Sequence, residues 1–156
     1  MGVNCFEIYA RGLIVAGGND SSKWKWIYMP DLGRSSVEVE VAALLNASSF
    51  DVSKKFPTRY LTPTLQYKVS FIIMKLEGCE GWEDHPVHLK LVVPGQNPIE
   101  RTEDLSKLPE KKWTMIKVGK FSTSISTTGD LEVSMYEDGS QSKKGIVVNK
   151  IIISSS

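Results

Sequence analysis

The stretch from residue 67 to residue 76, YKVSFIIMKL, constrains the fold more than any other part of the chain. Side chains alternate between the two faces of an extended strand. One face of this segment would carry Tyr67, Val69, Phe71 and Ile73, and the other Ile72, Met74 and Leu76. A strand that is apolar on both faces belongs in the middle of a sheet that is covered on both sides. The segment therefore predicts a layered β-structure.

The other strong hydrophobic patterns are also of strand type. Further strands are predicted at VHLKLVV (87–93), WTMIKVGKF (113–121), DLEVSMY (130–136) and GIVVNKIIIS (145–154), with weaker candidates at CFEIYARGL, WKWIYM, VEVEV and SFDVSKKF. Gly, Pro, Ser and Asp clusters separate them. The only helix predicted is a short one at residues 41–47, and residues 94–112 read as an exposed connection. Many short strands with almost no helix indicate an all-β protein, an antiparallel sandwich or barrel.

Length and alternation also predict one domain with a substantial core. A chain of 156 residues is expected to form a single domain, residues 1–156, that buries roughly 70% of its unfolded surface. The residues predicted for the core are Val69, Phe71, Ile73, Leu91, Trp113, Phe121, Val133, Val148 and Ile152. Two cysteines, Cys5 and Cys79, are predicted to be free thiols, because no secretory signal is seen and the cytosol keeps thiols reduced. The predicted compartment is cytoplasmic, and no apolar run is long enough for a membrane span.

Charge and motifs argue against several classes of function. The formal net charge is +1, which provides no general electrostatic attraction for nucleic acid or for an anionic membrane. No nucleophile elbow, phosphate-binding loop or dinucleotide fingerprint occurs. His85 and His88 could suggest a metal site, but Pro86 and strand parity keep them from converging, so a turn histidine and a solvent-facing strand histidine are favoured. No cofactor is predicted, and a binding module is favoured over an enzyme.

The segment SSKWKWIYM, residues 21–29, places Trp24 and Trp26 on one face if it is extended. Such a pair could belong to the core, or it could form an aromatic platform for a ligand. The small, polar, glycine-containing loop before the pair, with Lys23 and Lys25 at the opposite parity, favours the platform. An exposed indole can stack on the apolar C–H face of a pyranose ring.

A sugar site also needs groups that bond hydroxyls, and the chain offers several. Carboxylates accept strong, directional hydrogen bonds, and the candidates are Asp130, Glu132 and Glu137 in GDLEVSMYEDG. The alternative to a role in sugar binding is that these acids simply lie on a solvated strand face and in a turn. Asn19 and Tyr28 are further candidates for hydrogen bonds to an acetamido group or a hydroxyl.

Four motifs, in order along essentially the whole chain, carry a resemblance to a known family. They are YARGLIVAGGNDSSKWKWIYM, FDVSKKFPTRYLTPTLQYKVSFIIMKL, WTMIKVGKF and GDLEVSMYEDGSQSKKGIVVNKIIISSS. Together they resemble the Nictaba-like lectins, the plant phloem-lectin family. The size of the chain is similar to that of the small cucurbit phloem-exudate lectins.

The resemblance implies a β-sandwich of jelly-roll type that binds N-acetylglucosamine oligomers (chitooligosaccharides) and the N-glycan core without a metal. It implies a homodimer in the cytoplasm and phloem sap, for which the apolar segment 145–154 is a candidate pairing edge. The sugar-binding positions fall on Trp24, Trp26, Asp130 and Glu137, with Glu132 at a further acidic position. An additional loop tryptophan of many members is missing here, and Phe50 replaces a tryptophan as a core residue.

The same resemblance keeps RNA binding open as an alternative function. The lysines that could contact phosphates are Lys23, Lys25, Lys111, Lys112, Lys143 and Lys144. Bases could stack on Trp24 and Trp26, because any flat aromatic face serves that purpose. The net charge of only +1 weighs against this alternative.

Overall fold

Two antiparallel sheets, packed face to face, make up the computed structural model, which describes residues 4–155. Sheet A contains β1 (Cys5–Tyr9), β3 (Trp24–Asp31), β4 (Arg34–Leu44), β6 (Gln66–Glu80), β9 (Trp113–Ser122) and β11 (Lys144–Ser155). Sheet B contains β2 (Ile14–Val15), β5 (Phe50–Pro57), β7 (Val87–Val92), β8 (Ile99–Glu103) and β10 (Asp130–Glu137). The predicted β-sandwich is confirmed; residues 1–3 and 156 of the predicted domain lie outside the described part.

The strand order explains why the central segments are so apolar. Sheet A has the order β3-β4-β11-β6-β9, with β1 also paired to β11, and sheet B has the order β2-β5-β10-β7-β8. From β4 to β7 and again from β8 to β11, each strand crosses to the other sheet, which is the connectivity of a jelly roll. Because β11 is paired on both sides, the expectation that residues 145–154 form a free pairing edge is wrong.

The core between the sheets contains most of the residues that alternation predicts. The predicted core residues that are buried are Val69, Phe71, Ile73, Leu91, Phe121, Val133 and Val148. Trp113 and Ile152 are only partly buried, on the face of sheet A that is turned away from sheet B, here called the outer face. A register shift between Val148 and Lys150 adds one residue to β11. Ile151 and Ile153 therefore enter the core in place of Ile152.

Two segments differ from their predicted structure. The predicted helix at residues 41–47 is wrong, because residues 41–44 form the end of β4 and are buried on both faces. Packing overrides the helix propensity of Ala and Leu here. Residues 94–112 are more ordered than predicted, since they contain β8 and a 3₁₀ turn, Leu105–Lys107, whose Leu105 is fully buried.

The two cysteines are free, as predicted. Cys5 is paired with Ser154 at one end of β11, while Cys79 lies against Gly145 at the other end. Nine residues of strand separate those ends by about 30 Å, far beyond the reach of a disulfide. Burial raises the pKa of the Cys79 thiol to about 11, which keeps it protonated and unreactive at neutral pH.

The helical segments within residues 4–155 are short 3₁₀ turns, and none could cross a membrane. Besides Leu105–Lys107 they are Ala10–Gly12 and Thr58–Tyr60, each of three residues. Each joins a strand to a following segment, and each buries one side chain. Their role is therefore to turn the chain at the rim of the sandwich.

Sheet A curls strongly, so that its opposite edges meet over its outer face. The indole N–H of Trp113, on the edge strand β9, donates to the carbonyl oxygen of Pro30, on the edge strand β3, at 2.9 Å. An apolar cluster lies on the same face, with Val41, Ala43, Met74 and Val147 buried and Ile27, Met29, Val39, Leu76 and Trp113 packed against them. The curl thus buries apolar side chains on a face that has no second sheet over it.

A buried ion pair fastens the end of β3 to the central strand. Lys150 Nζ lies 3.0 Å from Asp31 Oδ1, and both side chains are nearly inaccessible. Lys150 also contacts Glu7 at 2.7 Å, while Arg34 and the Tyr9 hydroxyl donate to Asp31 at 2.7 and 2.8 Å. Burial alone would raise the pKa of Asp31, but the hydrogen bonds from Arg34, Lys150 and Tyr9 hold it well below its ordinary value.

We predict that Asp31→Asn lowers the free energy of unfolding by about 3 kcal/mol at neutral pH, because it removes one partner of a buried charge. The matched change Glu80→Gln breaks an exposed pair with Lys144 and should cost less than about 1 kcal/mol. Because the folded pKa of Asp31 is lowered, the difference between wild type and Asp31→Asn should be complete above about pH 4 and shrink as the pH falls further. Urea unfolding from neutral to acidic pH measures both effects, and equal losses for the two variants would contradict the assignment.

Candidate functional site

A groove of about 520 Å³ runs along the edge of sheet A beside both tryptophans of the Trp-x-Trp segment. Its lining residues come from the first 3₁₀ turn, the loop of residues 16–23, β3 and the residue that follows β4. They are Arg11, Gly18, Asn19, Ser21, Trp24, Lys25, Trp26 and Leu45. The volume lies within the range of sites that bind small ligands.

The loop before β3 is shaped around the two indoles. Trp24 Nε1 donates to the carbonyl oxygen of Ala16 at 3.0 Å, and Trp26 Nε1 donates to that of Gly18 at 2.8 Å. Gly17 between these carbonyls has a φ of +75°, a conformation that favours glycine. The glycine-containing loop therefore fixes the orientation of both rings.

The two tryptophans nevertheless have different environments. Trp24 is 2% exposed and stacks on Phe50, with 6.0 Å between ring centroids, while Phe50 packs edge-on against Trp82. The core interpretation, which the sequence left open, thus describes Trp24, and Phe50 is a core residue as expected. Trp26 is only partly buried and faces the groove. One accessible indole stands where a double-indole face was expected.

Arg11 is a site residue to which the sequence analysis assigned no role. Its guanidinium lies 3.8 Å from the ring centroid of Trp26, a cation–π contact. Nε and Nη2 of Arg11 donate to the two carboxylate oxygens of Glu40 at 2.9 and 3.0 Å, and the Arg11 hydrogen bond lowers the pKa of Glu40. No hydrogen bond of Arg11 Nη1 occurs in the described part of the chain, so this group is available to a ligand. The arginine in the YARGL motif was the available signal.

Asn19 and Tyr28 extend the accessible surface around Trp26. Asn19 is exposed in the lining of the groove. Tyr28 is 66% exposed and lies two residues after Trp26 on the same side of β3, about 7 Å along the strand. Trp26 and Tyr28 therefore form an aromatic track along β3, and Glu40 is the cross-strand partner of Tyr28.

The structure does not bring the predicted carboxylates together. Asp130 and Glu137 are the first and last residues of β10, so about 23 Å of strand separates them. Asp130 is exposed opposite Pro57, whereas Glu137 is paired with Phe50 at the end of the sandwich that contains Trp24. One sugar ring cannot contact both acids.

Glu137 is buried and its carboxylate is already bonded. It accepts from Lys143 Nζ at 2.8 Å, from Gln141 Nε2 at 2.9 Å and from the backbone N–H of Gly139. Burial would raise the pKa of Glu137, but these hydrogen bonds outweigh it and lower the pKa. Lys143 is fully buried, so it cannot serve the phosphate contacts considered above. This ion pair closes the loop between β10 and β11.

Glu132 lies in a different groove, on the outer face of sheet B. That groove of about 420 Å³ is lined by Asp51, Ser53, Lys90, Val92, Glu132, Ser134 and Tyr136. His88 is exposed at its margin and stacks on Tyr136 at 5.1 Å, which confirms its solvent-facing position. Among residues 4–155, no cluster of three or more His, Cys, Asp or Glu side chains is placed to hold a metal ion.

The chain is similar in sequence to several plant proteins over almost its whole length. It is 39% identical to Protein PHLOEM PROTEIN 2-LIKE A5 of Arabidopsis thaliana over 153 residues, which cover 96% of this chain and 37% of that protein. It is 35% identical to Protein PHLOEM PROTEIN 2-LIKE A1 of the same plant, covering 96% of this chain and 61% of that protein. A lectin of Luffa acutangula is 30% identical, with 96% and 70% covered. The chain spans less than two thirds of the length of the two Arabidopsis relatives.

Solved structures share the fold, and the family model covers the chain. The CBM22-1 xylan-binding domain of Paenibacillus barcinonensis Xyn10C superposes with a TM-score of 0.55 at 10% identity, covering 96% of this chain and 92% of that one. The C-terminal CBM6 of LamC from Zobellia galactanivorans has a TM-score of 0.53 at 13% identity, covering 97% and 99%. At such identities the likeness concerns the fold alone. The model described as Phloem protein 2 matches residues 3–155, and this chain belongs to the Phloem protein 2 family.

Proposed function

We propose that this protein is a carbohydrate-binding lectin whose ligand lies in the groove beside Trp26 and follows β3 toward Tyr28. The observation that carries the proposal is the partly exposed, firmly oriented indole of Trp26 in a groove of about 520 Å³. The similarity to a Luffa lectin and the β-sandwich fold support it.

Trp26 can stack on a ligand through the face of its ring that Arg11 does not cover. Its N–H is already bonded to Gly18, so a ligand meets the ring and not the polar group. Arg11 and the loop hold the ring in place, so little conformational entropy is lost when a sugar binds. Trp24, packed on Phe50, supports the groove from within the core.

The polar groups around Trp26 suit an N-acetylated sugar. Arg11 Nη1 and the Asn19 amide can donate to an acetamido carbonyl, and the Asn19 carbonyl can accept from a hydroxyl. Tyr28 offers a second ring about 7 Å along the strand, which favours an oligomer over a single sugar. We therefore propose chitooligosaccharides and the N-glycan core of glycoproteins as ligands.

Assembly and location follow from the resemblance and stay predictions. We propose a homodimer, because β9, which lies away from the groove beside Trp26, is an edge strand of sheet A that a second copy could cover. The expected mass in light scattering at micromolar concentration is twice the chain mass of 17.4 kDa, and a monomer mass would refute the dimer. We expect the protein to be located in the cytoplasm and the phloem sap.

We predict that Trp26→Ala weakens chitotriose binding by about 1–3 kcal/mol, by analogy with stacked bases, and leaves the fold intact. Tyr28→Ala should weaken chitotriose but not the monosaccharide, whose affinity we expect near millimolar, about −4 kcal/mol. Tyr60→Ala, at another tyrosine that is 53% exposed, is the matched control and should change neither. Calorimetric titration measures these affinities.

Trp24→Ala provides the structural comparison. Truncating a buried tryptophan should cost about 3–5 kcal/mol, a fall of roughly 6–20 °C in melting temperature for a domain of this size. Trp26→Ala should melt within a few degrees of wild type. If the melting temperature of Trp26→Ala falls as far as that of Trp24→Ala, and the protein that remains folded binds chitotriose normally, then Trp26 is a core residue and the proposed site is wrong.

Salt dependence separates the sugar ligand from RNA. Binding of a neutral chitooligosaccharide should hardly change between low and high salt, because no counterions are released. Single-stranded RNA would lose affinity steeply over the same range. Titrations of both ligands at two salt concentrations measure this. Salt-sensitive RNA binding that requires Trp26, with no sugar binding, would replace the lectin proposal by the RNA alternative.

A further inference from the structure

We propose a second binding site, for a phosphate or sulfate group, on the outer face of sheet A. The site, here called the lysine pocket, is a cavity of about 120 Å³ among β6, β9 and β11. Its lining includes Lys68, Ser70, Met115, Lys117, Lys120 and Ile152. None of these residues belongs to the groove beside Trp26.

A β-bulge in β9 creates the pocket. Val69 pairs with Gly119 but its neighbour Ser70 pairs with Lys117, so one extra residue, Val118, is inserted opposite them. Without that insertion, Lys117 and Lys120 would point to opposite faces, because they are three residues apart. With it, both line the pocket, and β-bulges commonly re-aim side chains in this way.

The bulge is held in place from the other sheet. The guanidinium of Arg101, on β8, donates through Nη1 to the carbonyl oxygen of Lys117. Val118 is fully buried in the core between the sheets. The backbone that positions Lys117 and Lys120 is therefore fixed, even though both side chains are exposed.

The pocket concentrates positive charge that the protein does not neutralise. Lys68 lies directly opposite Lys120 in the β6–β9 pairing, an arrangement that destabilises a sheet. Within residues 4–155 none of Lys68, Lys117 and Lys120 forms an ion pair. Glu7, on the neighbouring strand β1, is already bonded to Lys150. An anion between the lysines would relieve this repulsion.

The other residues that line the pocket indicate which kind of anion it can bind. Ser70, 6% exposed, pairs with Lys117 on one side and Ile152 on the other, and its hydroxyl makes no hydrogen bond in the described part of the chain. Ammonium and hydroxyl donors from several directions suit an oxyanion with several acceptor oxygens. Met115 and Ile152 offer apolar walls to the carbon part of an ester.

The pocket is small, with a volume of about 120 Å³, and it lies on the outer face of sheet A. A free oxyanion can occupy it, and so can the charged end of an ester whose body lies outside the pocket.

The test compares two double variants that remove the same charge. Lys117→Gln/Lys120→Gln changes the pocket, whereas Lys54→Gln/Lys55→Gln changes adjacent lysines on sheet B, which likewise form no ion pair with any of residues 4–155. Inorganic phosphate, sulfate and glucose 6-phosphate are titrated at low salt, with amide chemical shifts of residues 68–70 and 115–120 as the readout. Phosphatidylcholine vesicles with and without phosphatidic acid test a lipid source.

We expect the pocket variant to lose at least tenfold in oxyanion affinity and the control variant to retain it. Without phosphate, the pocket variant should melt no lower than wild type, because a like-charge contact is removed. Equal losses in both variants, no shifts at the pocket, or binding of single-stranded RNA alone would overturn the proposal. Chitotriose affinity should be unchanged in both variants, so failure here and failure of the lectin proposal are separate results.

Discussion

The buried ion pair between Asp31 and Lys150 is the contact on which the geometry of sheet A depends. It joins the end of the edge strand β3 to β11, the central strand of the order β3-β4-β11-β6-β9. Together with the bond from Trp113 to Pro30, it holds the sheet in a curl that covers the apolar cluster on part of its outer face. The proposed sugar track, Trp26 and Tyr28, also lies on β3. The position of the track therefore depends on the attachment of β3 through Asp31. Removing either side chain would leave the other charge desolvated and with fewer partners, which is why the attachment is strong.

Polar side chains in this protein fall into two groups according to whether their bonding capacity is used. Asp31, Glu137, Lys143 and Lys150 are buried, and each is bonded to several partners, so they stabilise the fold. Groups at the proposed sites keep unused donors or charge. Arg11 shows both states at once, because Glu40 accepts from two of its nitrogens while its Nη1 makes no hydrogen bond within residues 4–155. This contrast distinguishes the proposed binding groups from the structural ion pairs in this protein.

Irregular strand pairing determines which side chains reach each face of sheet A. The extra residue in β11 brings Ile151 and Ile153 into the core and leaves Ile152 outside. The bulge in β9 brings Lys117 and Lys120 to one pocket. Both features break the period of two on which strand predictions rely. Each irregularity is a shift in the hydrogen-bond register between two strands. The register depends on the partner strand as well as on the strand that carries the extra residue.

Alternating hydrophobicity was sufficient to predict the strands, the sandwich and most of the core, because burial of one strand face is a local pattern. It failed for residues 41–44, whose burial on both faces comes from distant strands, and for Ile152, whose orientation depends on a bulge. Parity placed Trp24 and Trp26 on one side, but Phe50, from β5, covers only the first. The distance between Asp130 and Glu137 could have been predicted from their spacing on one strand. The burial of Glu137 could not, because its partner Lys143 is positioned by contacts with the distant loop between β4 and β5, where Ala47 pairs with Lys143 and the carbonyl oxygen of Ser48 accepts from its ammonium group.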